Sequence, residues 1–173
     1  MSYAMEVAAE DPPEPDEDEM MSYLYFVQGH DVEQVLLNPT VFKMACKKLK
    51  FKPSVDLFAS ATHHQLHRYY SKDYDPLSLG QDAFRYDWLA EAAPYANPPW
   101  SVIPQVLQKV MRDQVRMMLV VPEWPNAPWY SVFRRLTERS IRLDEAIYLT
   151  DEGQLRPPPR LATRIALVDG GRV

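Results

Sequence analysis

The sequence predicts an α/β fold in which a mostly parallel sheet is flanked by helices. After Pro53, short apolar runs alternate with segments of helical period, a pattern typical of strands joined by crossover helices. Residues 117–121 are apolar at every position, as a central strand covered on both faces requires. The length of 173 residues fits one domain with additional segments. We therefore expect a single α/β domain.

Charge is distributed unevenly along the chain. The formal net charge is -5, yet residues 1–21 contain eight acidic side chains and no Lys or Arg. The remainder carries 19 basic side chains against 16 acidic ones. So small an excess permits a phosphate-rich partner without requiring one. The proline-rich acidic segment at residues 1–21 is predicted to be disordered. It fits a solvated linker, a mimic of nucleic acid or an intramolecular screen of the basic side chains.

Residues 22–53 are predicted to form an N-terminal extension with one short amphipathic helix. The aromatic run at residues 21–27 could add a strand or dock on a partner, and both interpretations stay open. After Asn38, apolar side chains recur with helical spacing, while lysines fall largely on the other side. These lysines fit either a solvated face or phosphate contacts.

Residues 54–173 are predicted to form the α/β domain, with its first strand at residues 54–58. A helical period begins at residue 102, behind Ser101 as the expected N-cap and with Pro104 in the tolerant first turn. The other predicted elements are a helix at residues 129–136 and extended segments at residues 146–149 and 164–168, which a turn and a triple proline separate.

Several classes of protein are excluded by what the sequence lacks. No apolar run approaches the length of a membrane span, and the N-terminus is acidic where a secretory signal would be basic. We therefore expect an intracellular protein of the cytoplasm or nucleus, with no membrane partner. A single cysteine, Cys46, precludes an internal disulfide. Neither a Gly-x-Ser-x-Gly elbow nor a phosphate-binding loop is present, which argues against hydrolases and nucleoside triphosphatases.

Histidines at positions 63, 64 and 67 have spacings that would present two imidazoles on one face of a helix. A metal would need further ligands from elsewhere, and the only thiol is distant in sequence. Surface or phosphate-facing histidines are the alternative. We predict no metal site.

The tetrapeptide Asn97-Pro98-Pro99-Trp100 carries the most specific chemistry in the sequence. It follows an apolar segment and precedes a helix, the position at which open α/β sheets bind ligands. The side-chain carbonyl of Asn97 and the backbone carbonyl of Pro98 can accept both hydrogens of an amino group on a nucleobase. The prolines hold these acceptors rigidly, and Trp100 offers a face for an extruded base. A proline-rich turn with a buried Trp is the alternative.

A basic-aromatic stretch is a second candidate for nucleic-acid contact. This stretch combines rings that could stack on bases with charges that could contact phosphate, and its residues are Arg68, Tyr69, Tyr70, Lys72 and Tyr74. Local packing of the tyrosines explains the pattern equally well.

Together these motifs resemble the phage-type DNA N6-adenine methyltransferases. The similar runs are Val55-Asp56-Leu57-Phe58-Ala59-Ser60, Arg68-Tyr69-Tyr70, Asp82-Ala83-Phe84 with Trp88, and Asn97-Pro98-Pro99-Trp100. The chain more closely resembles the methyltransferase-like region that follows the ribonuclease H domain in polyproteins of DIRS-type and related tyrosine-recombinase retrotransposons. That resemblance adds Leu119-Val120-Val121-Pro122-Glu123-Trp124-Pro125 and Ala127-Pro128-Trp129-Tyr130, and covers residues 50–140 approximately.

The resemblance implies a Rossmann-like sheet of the class I methyltransferase type, complete or truncated. It also implies S-adenosylmethionine as cofactor, with Asp82 near its adenine and the target base held by the tetrapeptide. The residues that would contact the cofactor are Asp56, Phe58, Ala59, Ser60 and Asp82. One departure is that residues 58–61 contain no glycine. Classical methyltransferases have glycines after the first strand, and these let the backbone approach the cofactor closely.

Two functions follow as hypotheses. The first is S-adenosylmethionine-dependent methylation of adenine N6 in DNA, by one domain of a mobile-element polyprotein. Here Asn97 and Pro98 polarise the amino group and Trp100 stacks on the base. The second is a catalytically inactive relic of the same fold that binds nucleic acid or a partner protein. The intact tetrapeptide favours the first hypothesis, and the missing glycines favour the second.

Overall fold

The computed structural model describes residues 4–6 and 36–172. The aromatic run at residues 21–27 lies outside these ranges, as does most of the acidic segment. In chain order the strands are β1 (Ala4–Glu6), β2 (Leu36–Leu37), β3 (Val55–Ala59), β4 (Tyr69–Ser71), β5 (Pro94–Ala96), β6 (Arg116–Pro122), β7 (Thr137–Leu143), β8 (Tyr148–Leu149) and β9 (Thr163–Asp169). The helices are α1 (Pro39–Leu49), α2 (Ile103–Asp113) and α3 (Tyr130–Leu136), with 3₁₀ turns at Ala83–Arg85, Trp88–Ala90 and Trp100–Val102.

Seven strands form one mixed sheet in the order β1-β7-β9-β6-β5-β3-β4. The pairs β4–β3, β3–β5 and β5–β6 are parallel, whereas β9 is antiparallel to both β6 and β7. Consequently β3 to β7 all run in one direction, and only β9 and β1 are reversed. A second, two-stranded sheet pairs β2 with β8. The structure thus confirms an α/β fold with a mostly parallel sheet.

The strand β6 is the centre of the hydrophobic core, as its apolar sequence predicted. Met118 and Val120 pack on the α1 side of the sheet. Met117, Leu119 and Val121 belong to the cluster on the opposite side, with α2 and α3. This alternation follows from the two-residue period of a strand. Since side chains on both faces are buried, β6 cannot accept polar residues on either.

Helix α1 packs against the sheet, in the cluster that contains Met118 and Val120. Asn38 caps the helix by accepting a hydrogen bond from the backbone nitrogen of Thr40 at 3.0 Å. The buried side chains of Phe42 and Leu49 pack with Tyr95 of β5, and the rings of Phe42 and Tyr95 meet edge to face at 4.8 Å. The predicted amphipathic helix is confirmed.

The start of α2 differs from the prediction. Ser101 lies within the 3₁₀ turn Trp100–Val102 and is not the N-cap. The helix begins at Ile103 after Val102, whose side chain makes no capping hydrogen bond. Pro104 occupies the first turn as expected, where its missing N–H has no intrahelical partner to lose.

Several connections also differ from a regular alternation of strands and helices. Between β3 and β4, and again between β4 and β5, the described chain forms turns and short 3₁₀ segments in place of α-helices. At Ala4–Glu6 the acidic segment is extended and paired with β7, where the sequence predicted disorder. The predicted extended segment at residues 146–149 is a strand only at Tyr148–Leu149.

Candidate active site

A cleft of about 1400 Å³ opens at the carboxyl ends of the parallel strands β3, β4 and β5. Its floor and walls come from the segments that follow these strands, together with residues 81–85. The C-terminal segment at residues 156–161 closes one side. In open α/β sheets this end of the strands is where ligands bind, because the chain reverses there and leaves a crevice.

The predicted tetrapeptide lies in this cleft. Asn97, Pro98, Pro99 and Trp100 all line it, directly after β5. Pro98 is buried, while Asn97 and Trp100 are half-buried. The Pro99 carbonyl accepts a hydrogen bond from the backbone nitrogen of Val102 at 3.1 Å and so belongs to the 3₁₀ turn. The Trp100 ring packs near Trp124, with 6.4 Å between the ring centroids. The segment is therefore held in place by β5, the turn and Trp124.

The loop after β3 contributes Phe58, Ala59 and Ser60 to the cleft, as the resemblance implied. Ser60 and His63 close a tight turn, with backbone hydrogen bonds of 3.0 and 3.2 Å between them. No residue of this turn has a positive φ. Because only positive φ would demand glycine for conformational reasons, Ala59 and Ser60 are compatible with the backbone of this turn.

Asp82 lines the cleft in an uncommon backbone conformation. Its φ is 65°, in the range that few residues other than glycine adopt. The carboxylate accepts a hydrogen bond from the backbone nitrogen of Phe84 at 3.1 Å and lies 3.7 Å from Arg85. The Phe84 ring meets the Phe58 ring edge to face at 5.5 Å. This wall of the cleft therefore presents the Asp82 carboxylate beside the rings of Phe58 and Phe84.

Asp56 does not line the large cleft. Its side chain is 3% exposed, and its carboxylate accepts hydrogen bonds from the backbone nitrogens of Gln65 and Phe58, at 3.0 and 3.3 Å. Burial raises the pKa of Asp56 from 3.8 to about 6, although both hydrogen bonds lower it. The structure thus places Asp56 as a support of the loop after β3, away from the predicted cofactor contacts.

Two residues of the basic-aromatic stretch, Lys72 and Tyr74, line the cleft. Tyr69 and Tyr70 are buried in β4, with hydroxyls that donate to Asp75 and Glu91 respectively. Their ring faces are therefore not available to a base, and local packing accounts for them. Arg68 forms an ion pair with Glu91 at 2.9 Å outside the cleft.

The sequence reasoning did not find the basic residues on the opposite wall. Arg156 and Arg160 reach the cleft from the segment around the triple proline, which the sequence treated only as a separator. Asp73 and Asp75, in the loop after β4, line the same cleft. The sequence feature that could have indicated these residues is the pair of arginines on either side of the three prolines. Prolines make a stiff segment, which can hold the flanking side chains in fixed positions.

A buried ion network lies at the carboxyl end of β6, beside the candidate site. The Glu123 carboxylate accepts hydrogen bonds from Arg164 at 2.7 and 3.0 Å and from Arg142 at 2.5 Å. Glu123 and Arg164 are each no more than 3% exposed. Arg164 also donates to Ser140, and Arg142 to Asp144. These contacts tie β6, β7 and β9 together next to Trp124, which packs near Trp100.

The histidines at positions 63, 64 and 67 belong to the loop between β3 and β4. Residues 60–68 are not helical, and His64 stacks on Tyr69 at 4.2 Å while its Nδ1 lies 2.7 Å from the Leu66 carbonyl oxygen. Within residues 4–6 and 36–172, no group of three or more His, Cys, Asp or Glu side chains is arranged to hold a metal ion. In the same part of the chain, no helix has the length and apolarity to cross a bilayer.

No protein-family model matches the chain, and no curated protein matches it significantly.

Proposed function

We propose that the chain is a class I methyltransferase-like domain that transfers a methyl group from S-adenosylmethionine to the N6 amino group of adenine in DNA. The observation that carries this proposal is the position of Asn97-Pro98-Pro99-Trp100 in the cleft at the end of β5, opposite the loop after β3. The strand order adds support, because β9 lies reversed between β6 and β7. Class I methyltransferases have a reversed strand at this place in the sheet.

The cleft residues fit the cofactor in size and chemistry. The volume of about 1400 Å³ is large enough for a nucleoside with an amino-acid chain. The aromatic pair Phe58 and Phe84 offers apolar surface for its adenine, and the Asp82 carboxylate can accept hydrogen bonds from an amino group or sugar hydroxyls. Small side chains at Ala59 and Ser60 leave room next to the backbone. When bound, S-adenosylmethionine supplies an electrophilic methyl group on a sulfonium.

The chain's own residues would orient and activate the amino group. The Asn97 side-chain carbonyl and the Pro98 backbone carbonyl accept its two hydrogens, so that the nitrogen lone pair points toward the methyl donor. Trp100 stacks on the base, supported from behind by Trp124. Preorganised acceptors of this kind stabilise the developing positive charge on nitrogen without reorganisation during the reaction. The amino nitrogen would gain its bond to carbon as the carbon–sulfonium bond breaks, and it would then release one of its two hydrogens as a proton to solvent, with no need for a covalent intermediate or a metal.

Substitution of two asparagines, one inside the cleft and one outside it, distinguishes a loss of catalysis from a loss of folding. We expect Asn97→Ala to abolish methyl transfer to an adenine-containing oligonucleotide duplex while leaving thermal stability nearly unchanged. Asn126→Ala is the matched control, since Asn126 is exposed and does not line the cleft. Transfer by the Asn97→Ala protein at the wild-type rate would contradict the proposal.

A catalytically inactive binding module is the alternative. The observation that favours it is the pair of exposed apolar side chains on the loop after β4, where Tyr74 and Leu77 are 81% and 83% exposed. Exposed apolar side chains at the rim of a cleft suit a protein or nucleic-acid partner. In either case we place the domain inside the cell, in the cytoplasm or nucleus, as part of a mobile-element polyprotein. Detectable methyl transfer by the wild-type chain decides between the two.

A further inference from the structure

A dense group of lysines lies on and just after α1, which packs on the other side of the sheet from α2 and α3. Residues 38–55 contain no acidic side chain, yet five of the seven lysines of the chain fall among them. These five, all exposed, form the lysine face and are Lys43, Lys47, Lys48, Lys50 and Lys52. No residue of this segment lines the cleft. The lysine face is therefore separate from the candidate active site.

The spacing of these residues aligns three of the charges along the exposed side of α1. The buried residues of the helix are Val41, Phe42, Ala45 and Leu49, which pack toward the sheet. Positions 43, 47 and 50 are four and three residues apart, so their side chains share one face of the helix. At about 1.5 Å of rise for each residue, successive lysines of this row are about 5–6 Å apart along the helix axis.

Acidic neighbours do not compensate the charge of this row. In the part of the chain that the structure describes, no ion pair joins any of these three lysines to a carboxylate. Beyond the end of the helix, Arg116 lies over the Phe51 ring at 5.8 Å and is paired with Glu138 at 2.8 Å, so this carboxylate already has a partner. The row therefore presents net positive charge to solvent.

Stabilisation of the helix itself accounts for only part of this distribution. Lys47 and Lys48 lie in the last turn of α1, where positive charge interacts favourably with the helix dipole. Lys43 lies in the first half of the helix and Lys52 lies beyond its end. The dipole effect is confined to the terminal turns, so it does not explain these two. A negatively charged partner explains all five lysines together.

The class of partner follows from what the lysine face lacks. Among the described residues, the large apolar side chains that are exposed all lie outside residues 38–55. Protein interfaces are built around buried aromatic or apolar anchors, and stable attachment to a membrane needs an apolar or lipid anchor besides basic charge. A nucleic-acid backbone needs positive charge alone, because its regularly spaced phosphates supply the affinity.

We propose that the lysine face of α1 binds the phosphate backbone of a DNA duplex, at a site separate from the cleft. The contact requires neither a methyl donor nor an extruded base, so it does not rest on the proposed function. Phosphate contacts position a protein on a duplex and carry no direct sequence information. The lysine face therefore holds the domain on DNA of any sequence.

Fluorescence anisotropy of the full chain with a labelled duplex of G·C pairs only tests this site, because such a duplex contains no adenine to methylate. With about four phosphates contacted, the logarithm of the binding constant should fall against the logarithm of the salt concentration with a slope of about −3 to −4. Combining Lys43→Gln, Lys47→Gln and Lys50→Gln should make this slope shallower by about 2.7 and weaken binding at least about tenfold at low salt. An unchanged slope would overturn the proposal.

Glutamine is the appropriate replacement because it keeps α1 folded. Its helix propensity is close to that of lysine, and Gln114 already ends α2 with a φ of 54°, as Lys50 ends α1 with a φ of 53°. The matched control removes three exposed arginines on α2 and α3, by Arg112→Gln, Arg134→Gln and Arg135→Gln. This control changes the net charge equally and should bind the duplex like wild type. An equal loss of binding in both triple variants would refute a specific role of α1.

A polyglutamate peptide distinguishes a nucleic-acid partner from an acidic protein. An extended peptide carries one charge for about 3.3 Å of length, whereas a DNA duplex carries one for about 1.7 Å. The peptide should therefore displace the labelled duplex only at higher concentrations of charge. Displacement at equal or lower concentrations of charge would assign the lysine face to an acidic protein and overturn the choice of DNA.

Discussion

The buried carboxylate of Asp56 predicts a specific pH dependence of stability. Its pKa is raised from 3.8 to about 6, mainly by burial. The folded state therefore binds the Asp56 proton more tightly than the unfolded state does, and the free energy of unfolding falls as the pH rises between these values. At about 1.4 kcal/mol for each pKa unit, ionisation of Asp56 costs the folded state about 3 kcal/mol. The cost is fully present above about pH 6 and absent below about pH 4.

The change Asp56→Asn removes this ionisation and keeps the size of the side chain. It loses part of the hydrogen bonding to Phe58 and Gln65, but that loss is the same at every pH. The difference in unfolding free energy between wild type and variant should therefore shift by about 3 kcal/mol in favour of the variant over the whole pH window.

Urea denaturation followed by tryptophan fluorescence, at several pH values from about 4 to 7.5, measures this difference. Only the difference between the two proteins is interpreted, because other acidic groups titrate in the same range in both. Parallel stability curves for the two proteins would refute the assignment of the raised pKa to Asp56.

Three further predictions concern stability, and urea denaturation checks each of them. Arg164→Ala should lower the unfolding free energy by about 3–5 kcal/mol, because it leaves the buried Glu123 carboxylate without its main partner; a loss below about 1 kcal/mol would contradict this. Asn38→Ala should cost about 1 kcal/mol through loss of the α1 cap on Thr40. Lys50→Gly should raise the unfolding free energy by about 0.5–1 kcal/mol. Lys50 ends α1 with a φ of 53°, a left-handed conformation that strains a residue with a side chain but not glycine. A decrease in the unfolding free energy would contradict this explanation.

The parts of the fold that follow from local pattern were predictable. Residues 117–121 are apolar at each position, and β6 is indeed buried on both faces. The spacing of apolar residues after Asn38 likewise predicted α1. In contrast, the insertion of β9 between β6 and β7 depends on pairing between strands far apart in sequence. Nothing in the local sequence of residues 164–168 specifies such a neighbour, because partner choice is decided by packing of the whole sheet.

The candidate site was predictable where it depends on the carboxyl ends of strands. Asn97 and Ser60 directly follow β5 and β3, so they reach the same edge of the sheet. Asp56 is different, because it lies inside β3, and alternation turns it away from Leu57 toward the α1 side. The alternation of side chains along β3 could therefore have predicted from the sequence that Asp56 and Leu57 face opposite sides of the sheet.

Burial of Tyr69 and Tyr70 could not be predicted in the same way. Backbone hydrogen bonds from the segment at residues 79–82 cover the outer edge of β4, including one from Leu79 to the Tyr69 carbonyl at 2.8 Å. That segment returns to β4 only in the folded chain. The contribution of Arg156 to the cleft has the same origin, since the segment around the prolines reaches the site only through the pairing of β8 and β9 with other strands.

Calorimetric titration of the folded chain with S-adenosylmethionine tests the central claim most directly. We predict saturable one-to-one binding that weakens about tenfold in Asp82→Asn, which keeps the capping oxygen for Phe84 and removes only the charge. Glu152→Gln, which removes an exposed carboxylate outside the cleft, should bind like wild type. Absence of any heat at millimolar ligand, from a protein that unfolds cooperatively, would contradict the methyltransferase account and leave a binding module.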